Sequence, residues 1–103
     1  EKVIQGMWMS ANREGSARAA RVEGMDVCGK TGSTQVVSRQ TAEKIGESRR
    51  ETKTHSWFTG FAPRSDPRIA VTVIVEYGGM GGSTAAPVAR ELFRLYQELM
   101  NHD

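Results

Sequence analysis

The chain has 103 residues, 38% apolar, 25% charged and 7% aromatic, which suits one small domain with a modest core. The 14 Lys and Arg barely exceed the 12 Asp and Glu, too small an excess to mark a nucleic-acid binder. No apolar run approaches the ~20 residues of a membrane helix, Glu1 and Lys2 do not open a signal-peptide pattern, and a lone cysteine, Cys28, excludes an internal disulfide framework or a thiolate zinc site.

Val3, Ile4, Met7, Trp8 and Ala11 recur at helical spacing, predicting a helix over residues 1–12. Gly15 and the small, basic run to Arg21 end it. Residues 26–37 mix Val, Thr, Cys and Gly and read as a strand. Residues 38–54 are polar and charged around a lone Ile45, a solvated connection with room for a short helix at 42–50. The aromatic run His55-Ser56-Trp57-Phe58-Thr59-Gly60-Phe61-Ala62 predicts a strand, closed by a turn at Pro63-Arg64-Ser65-Asp66-Pro67. Residues 68–77 are nearly continuous β-branched sequence, a pattern that implies burial on both faces. Gly78-Gly79-Met80-Gly81-Gly82 breaks that strand. Ser83 can then cap a helix over 84–100 that tolerates Pro87 in its first turn and offers Val88, Leu92, Leu95, Tyr96 and Leu99 as a face to bury. The predicted class is α+β: three antiparallel strands in sequential order, with N- and C-terminal helices packed on them.

Two patterns compete for the stretch around Lys30. Residues 24–31, Gly24 through Lys30-Thr31, satisfy the P-loop spacing formally. A P-loop needs an apolar strand before and a helix after, whereas Ala20-Arg21-Val22-Glu23 precedes and the poor helix former Gly32-Ser33-Thr34-Gln35-Val36-Val37 follows. The second pattern is Lys30-Thr31-Gly32, a triplet found in serine acyltransferases that bind penicillin. Its surroundings carry the weight. Lys30-Thr31-Gly32-Ser33-Thr34-Gln35-Val36, then residues 55–63, then residues 69–79, resemble in order the last part of a penicillin-binding protein. Gly6-Met7, Gly15-Ser16-Ala17 and residues 81–89 fit as well. The chain is most similar to the class B, monofunctional D,D-transpeptidases, the group that includes penicillin-binding protein 2.

The resemblance implies that residues 1–103 are the C-terminal portion of a transpeptidase domain of the penicillin-binding and β-lactamase-like fold, with 38–54 as a variable connection. It implies catalytic roles for Lys30 and Ser33, and substrate-binding roles for Lys30, Thr31, Gly32 and Ser33. Lys30 would lie near the nucleophile, its charge favouring anionic groups and proton transfer. Thr31 and Ser33 would offer hydroxyls to the carboxylate of a D-Ala-D-Ala stem peptide or a β-lactam, and the Ser33 N–H would serve an oxyanion hole. Gly32, without a Cβ, lets the acyl donor lie against the strand edge as an added strand. The implied partners are the stem peptide, β-lactams and the remainder of the domain, with self-association through uncovered apolar faces, and no nucleic acid. No cofactor or metal is implied, and the parent protein would be anchored in the bacterial cytoplasmic membrane with this domain outside. A β-lactam sensor or β-lactamase-like protein of the same fold is the alternative.

These enzymes need a Ser-x-x-Lys nucleophile, and no serine here is followed three residues later by lysine. Ser10-Ala11-Asn12 spells the family's Ser-x-Asn, but on the first helix, where a plain helix end accounts for it. Trp57, Phe58 and Phe61 read as packing residues. Cys28 reads as a small buried apolar residue. His55 and His102 lack the spacing of metal ligands, and the charged residues of 38–54 read as a solvated segment.

Overall fold

The computed structural model describes residues 1–35, 54–76 and 83–101. Helix α1 (Lys2–Asn12) leads through a 3-10 turn (Arg18–Ala20) into β1 (Cys28–Gln35), β2 (Thr54–Ala62) and β3 (Ile69–Val75), and helix α2 (Ala85–Asn101) follows. The expected helix at 42–50, the strand ends at 36–37 and 77, the glycine break at 78–82 and His102 lie outside the described residues.

The expected meander forms. The strands are antiparallel in the order β1-β2-β3, with Thr31 opposite Phe58 and Phe58 opposite Val73. The Glu1 carboxylate caps α1 by accepting the Val3 N–H at 2.8 Å and the Ile4 N–H at 3.3 Å. At the other end, the Asn12 side-chain amide donates to the Trp8 carbonyl at 2.9 Å and to the Val27 carbonyl at 2.7 Å, tying α1 to the residue before β1. Beyond the β2–β3 turn, the Arg68 N–H reaches the Ala62 carbonyl at 2.9 Å.

Alternation along the strands sends Ser56, Phe58, Gly60 and Ala62 of β2, and Val71 and Val73 of β3, to one buried face. Phe58 organises it. Its ring meets Phe93 of α2 edge-on, with centroids 6.2 Å apart and planes at 82°. It also lies over Gly29 and Gly60, which face each other across the β1–β2 ladder. A Cβ on Gly29 would stand 2.5 Å from this ring, and one on Gly60 would stand 2.4 Å from the Cys28 carbonyl oxygen and 2.7 Å from the ring. Gly60→Ala is therefore expected to destabilise the fold by about 1–3 kcal/mol, because strand backbone as well as an aromatic ring must shift. Thermal unfolding measures it, and an unchanged midpoint would contradict this packing.

Two sequence expectations are corrected. Residues 69–75 were expected to be buried on both faces, yet Ala70, Thr72 and Ile74 are exposed, Ile74 to 65%. The reason is cover: among the described residues α2 packs on one face of β3 and nothing covers the other. The second correction concerns α2. Its buried residues are Ala85, Ala86, Ala89 and Phe93, while Val88, Leu92, Leu95 and Leu99 of the expected face are exposed and only Tyr96 of that set is half-buried. Alanines let the helix approach the sheet closely, so the small-residue face packs inward and the leucine row stands beside β3. Ser83, the expected cap, lies in the turn before α2, and the Ala85 N–H donates to the hydroxyl of the fully buried Ser56 of β2 at 3.1 Å.

Candidate active-site strand

Lys30, Thr31, Gly32 and Ser33 occupy consecutive positions of β1, opposite Thr59, Phe58, Trp57 and Ser56. Among the described residues β1 pairs with β2 alone, so its other edge has no strand beside it. The pleat divides the four residues. Lys30 and Gly32 share a side with Trp57, whereas Thr31 and Ser33 share the side of Phe58 and Ser56.

Lys30 is exposed, with Nζ donating to the Thr31 carbonyl at 2.6 Å and standing 5.8 Å from the centroid of the Trp57 ring. A cation over an indole at that distance gains about 0.5–1 kcal/mol at an exposed site. The same indole explains Gly32. A Cβ there would lie 2.0 Å from the Trp57 ring, so the glycine is required by the ring beneath it, whatever approaches from outside. Thr31 is 5% exposed, and its Oγ1 donates to Ser16 Oγ at 2.8 Å. Ser33 is exposed.

The other sequence candidates separate from this site. Asn12 spends its amide on two backbone carbonyls, and Ser10 packs its backbone against Gly15, where a Cβ would come within 2.4 Å. Both belong to a helix end. Gly24, with φ +84°, sits in a turn, and residues 30–35 continue as strand. A phosphate-cradling loop would open a helix there, so that reading is set aside. Trp57 and Phe61 are half-buried and Phe58 is fully buried, as packing residues should be. No group of three or more His, Cys, Asp or Glu that could hold a metal occurs among the described residues.

Cys28 is fully buried, and burial pushes its thiol pKa up, partly opposed by the charge of Arg64. Only the thiolate attacks electrophiles. Cys28 is therefore expected to stay unmodified by iodoacetamide at neutral pH in the native protein and to react once urea unfolds it. Rapid native labelling would contradict the burial.

Sequence reasoning did not single out Ser16 as a site residue. It precedes the 3-10 turn and lies 15 residues before Thr31, and only the folded chain brings the two hydroxyls together. The sole sequence signal was its place in the Gly15-Ser16-Ala17 triplet.

Comparison with known proteins identifies the family. A sequence model of the penicillin binding protein transpeptidase domain matches residues 1–94. Peptidoglycan D,D-transpeptidase MrdA of Haemophilus influenzae is 38% identical over 100 residues, covering 93% of this chain and 15% of the relative. The chain therefore spans about a seventh of that relative's length. The D,D-transpeptidase domain of a peptidoglycan glycosyltransferase from Eggerthella lenta superposes with a TM-score of 0.70 at 27% identity, over 94% of this chain and 19% of that one. Penicillin-binding protein A from M. tuberculosis, solved as a ceftriaxone acyl-enzyme complex, gives 0.67 at 25% identity, over 90% and 20%. A family match over residues 1–94, joined to a relative 38% identical along most of the chain and to a shared fold, places the chain in the penicillin-binding protein transpeptidase domain family.

Proposed function

We propose that the chain is the C-terminal portion of the transpeptidase domain of a peptidoglycan D,D-transpeptidase, and that β1 is the wall of its cleft that binds the acyl donor. The observation that carries this is the edge position of β1, with Lys30, Thr31, Gly32 and Ser33 in a row along an edge open among the described residues. A D-Ala-D-Ala stem peptide, or a β-lactam in its place, would add to that edge as a short extra strand. The Lys30 ammonium and the hydroxyls of Thr31 and Ser33 would hold its carboxylate. The Ser33 N–H would donate to the oxyanion that forms when a serine from the remainder of the domain attacks the carbonyl, a contact worth about 3–4 kcal/mol. Lys30 Nζ, on the open side of the sheet, would favour negative charge there and pass a proton near that serine.

The uncovered leucine row of α2 and the exposed side of β3 support the reading that further chain packs on this unit. We assign that cover to the remainder of the domain, with self-association expected when the 103-residue chain stands alone. The intact protein would be anchored in the bacterial cytoplasmic membrane with this domain outside.

Incubation with benzylpenicillin followed by intact-mass spectrometry tests the proposal. The full polypeptide is expected to gain one covalent penicilloyl group. The 103-residue chain alone is expected to gain none, since it holds no Ser-x-x-Lys. A full polypeptide that remains unmodified would overturn the proposal, and an adduct on the chain alone would place the nucleophile within it.

A further inference from the structure

A hydroxyl has one hydrogen to donate and two lone pairs to accept with. In the structure Thr31 spends its hydrogen on Ser16 Oγ at 2.8 Å. A carboxylate arriving at β1 needs that hydrogen, because a carboxylate can only accept. The exchange requires no heavy atom to move. Thr31 turns its O–H to the anion, and Ser16 turns its own O–H to the oxygen of Thr31. We propose that Ser16 is a positioning residue for the acyl donor's carboxylate. Acting through Thr31, it accepts the threonine's hydrogen bond when the edge is empty and donates one to the threonine oxygen when an anion accepts from the threonine. This deepens, and rests on, the reading of Thr31 as a carboxylate contact.

The chain around Ser16 is built to hold it there. A Cβ on Gly15 would lie 2.4 Å from both Cα and O of Ser10, so glycine lets the chain double back tightly on the end of α1. The Arg18 N–H closes that bend on the Gly15 carbonyl at 3.2 Å. On the other side Ala17 is fully buried and packs over Gly29, its Cβ 3.6 Å from where a Cβ of Gly29 would stand. Gly29 and Thr31 project to the same side of β1. One neighbour of Ser16 is thus locked against α1 and the other against β1, and the hydroxyl between them is delivered to Thr31 by packing. In the charged state the relay strengthens the threonine's bond to the anion, since hydrogen bonds in a chain polarise one another.

The test uses the intact polypeptide and compares benzylpenicillin with its methyl ester, which has no anionic carboxylate. The second-order acylation rate constant is measured for each, in the wild type, Ser16→Ala, Ser16→Thr and Thr31→Val. Ser16→Ala is expected to lower the preference for the free acid by about five- to tenfold, the worth of one hydrogen bond, and to leave the ester rate within about twofold. Ser16→Thr, which keeps the hydroxyl, is expected to retain the preference, and Thr31→Val to lose at least as much of it as Ser16→Ala. Equal slowing of acid and ester by Ser16→Ala would show a merely structural role and overturn the inference. If Thr31→Val lowers the preference and Ser16→Ala leaves it intact, the inference fails while the reading of Thr31 stands. If Thr31→Val leaves the preference intact, the reading of Thr31 fails and takes the inference with it.

Discussion

Replacing Phe58 by alanine is expected to cost about 3–5 kcal/mol of stability, the range for emptying a buried aromatic site. Phe58 is fully buried and meets Phe93 edge-on, so alanine removes a ring pair as well as apolar burial. The site is also poorly able to collapse. Two glycines, Gly29 and Gly60, lie beneath the ring and have no side chains to move into the space. Fixed strands bound the hole on one side and α2 on the other. Phe58→Leu should recover part of the loss, because it restores volume without the ring geometry. Urea unfolding of both variants measures the difference, and a loss below about 1 kcal/mol for Phe58→Ala would contradict the central place given to this ring.

The largest functional effect is expected at Lys30. In the intact polypeptide, Lys30→Ala should slow acylation by benzylpenicillin by at least about a hundredfold, the scale on which a positioned proton-transfer group acts. The structure separates this effect from folding. Lys30 is exposed on the open side of the sheet, and its contacts are the Thr31 carbonyl and the Trp57 ring. Removing them should change stability by no more than about 1 kcal/mol. Thermal melting alongside acylation kinetics therefore reads two independent numbers. A variant that folds normally and acylates at the wild-type rate would remove Lys30 from the chemistry.

Much of the architecture was legible in the residues, because the strong signals are local. The aromatic, β-prone run at 55–62 and β-branched residues at 69–75 specify strands, and a short turn between them leaves an antiparallel neighbour as the simple solution. Lys30, Thr31, Gly32 and Ser33 were legible for the same reason: the four are adjacent, so one strand delivers them together. What escaped is non-local. Spacing predicted that α2 would bury its leucines, but the choice between two faces depended on alanines fitting against a sheet on which Phe58 already stood. The strand over 69–75 was expected to be covered twice because its β-branched residues are nearly continuous, and the described residues supply one cover. Gly32 suggested room for a ligand, and its tightest neighbour proved to be Trp57, 25 residues later.

The pleat of β1 gives the motif a parity. Even-numbered Lys30 and Gly32 look to the open side, and odd-numbered Thr31 looks toward Ser16 and the buried face. Substituting a residue alters one chemical group and leaves this assignment alone. Inserting a single residue after Gly29 would reverse it for everything downstream, turning the lysine toward the core and the threonine toward the indole. A second inserted residue would restore the assignment at the cost of a shifted register. The strand is thus more vulnerable to a change of count than to a change of kind, and natural variation between Cys28 and Ser33 should alter identities while keeping the number of residues constant.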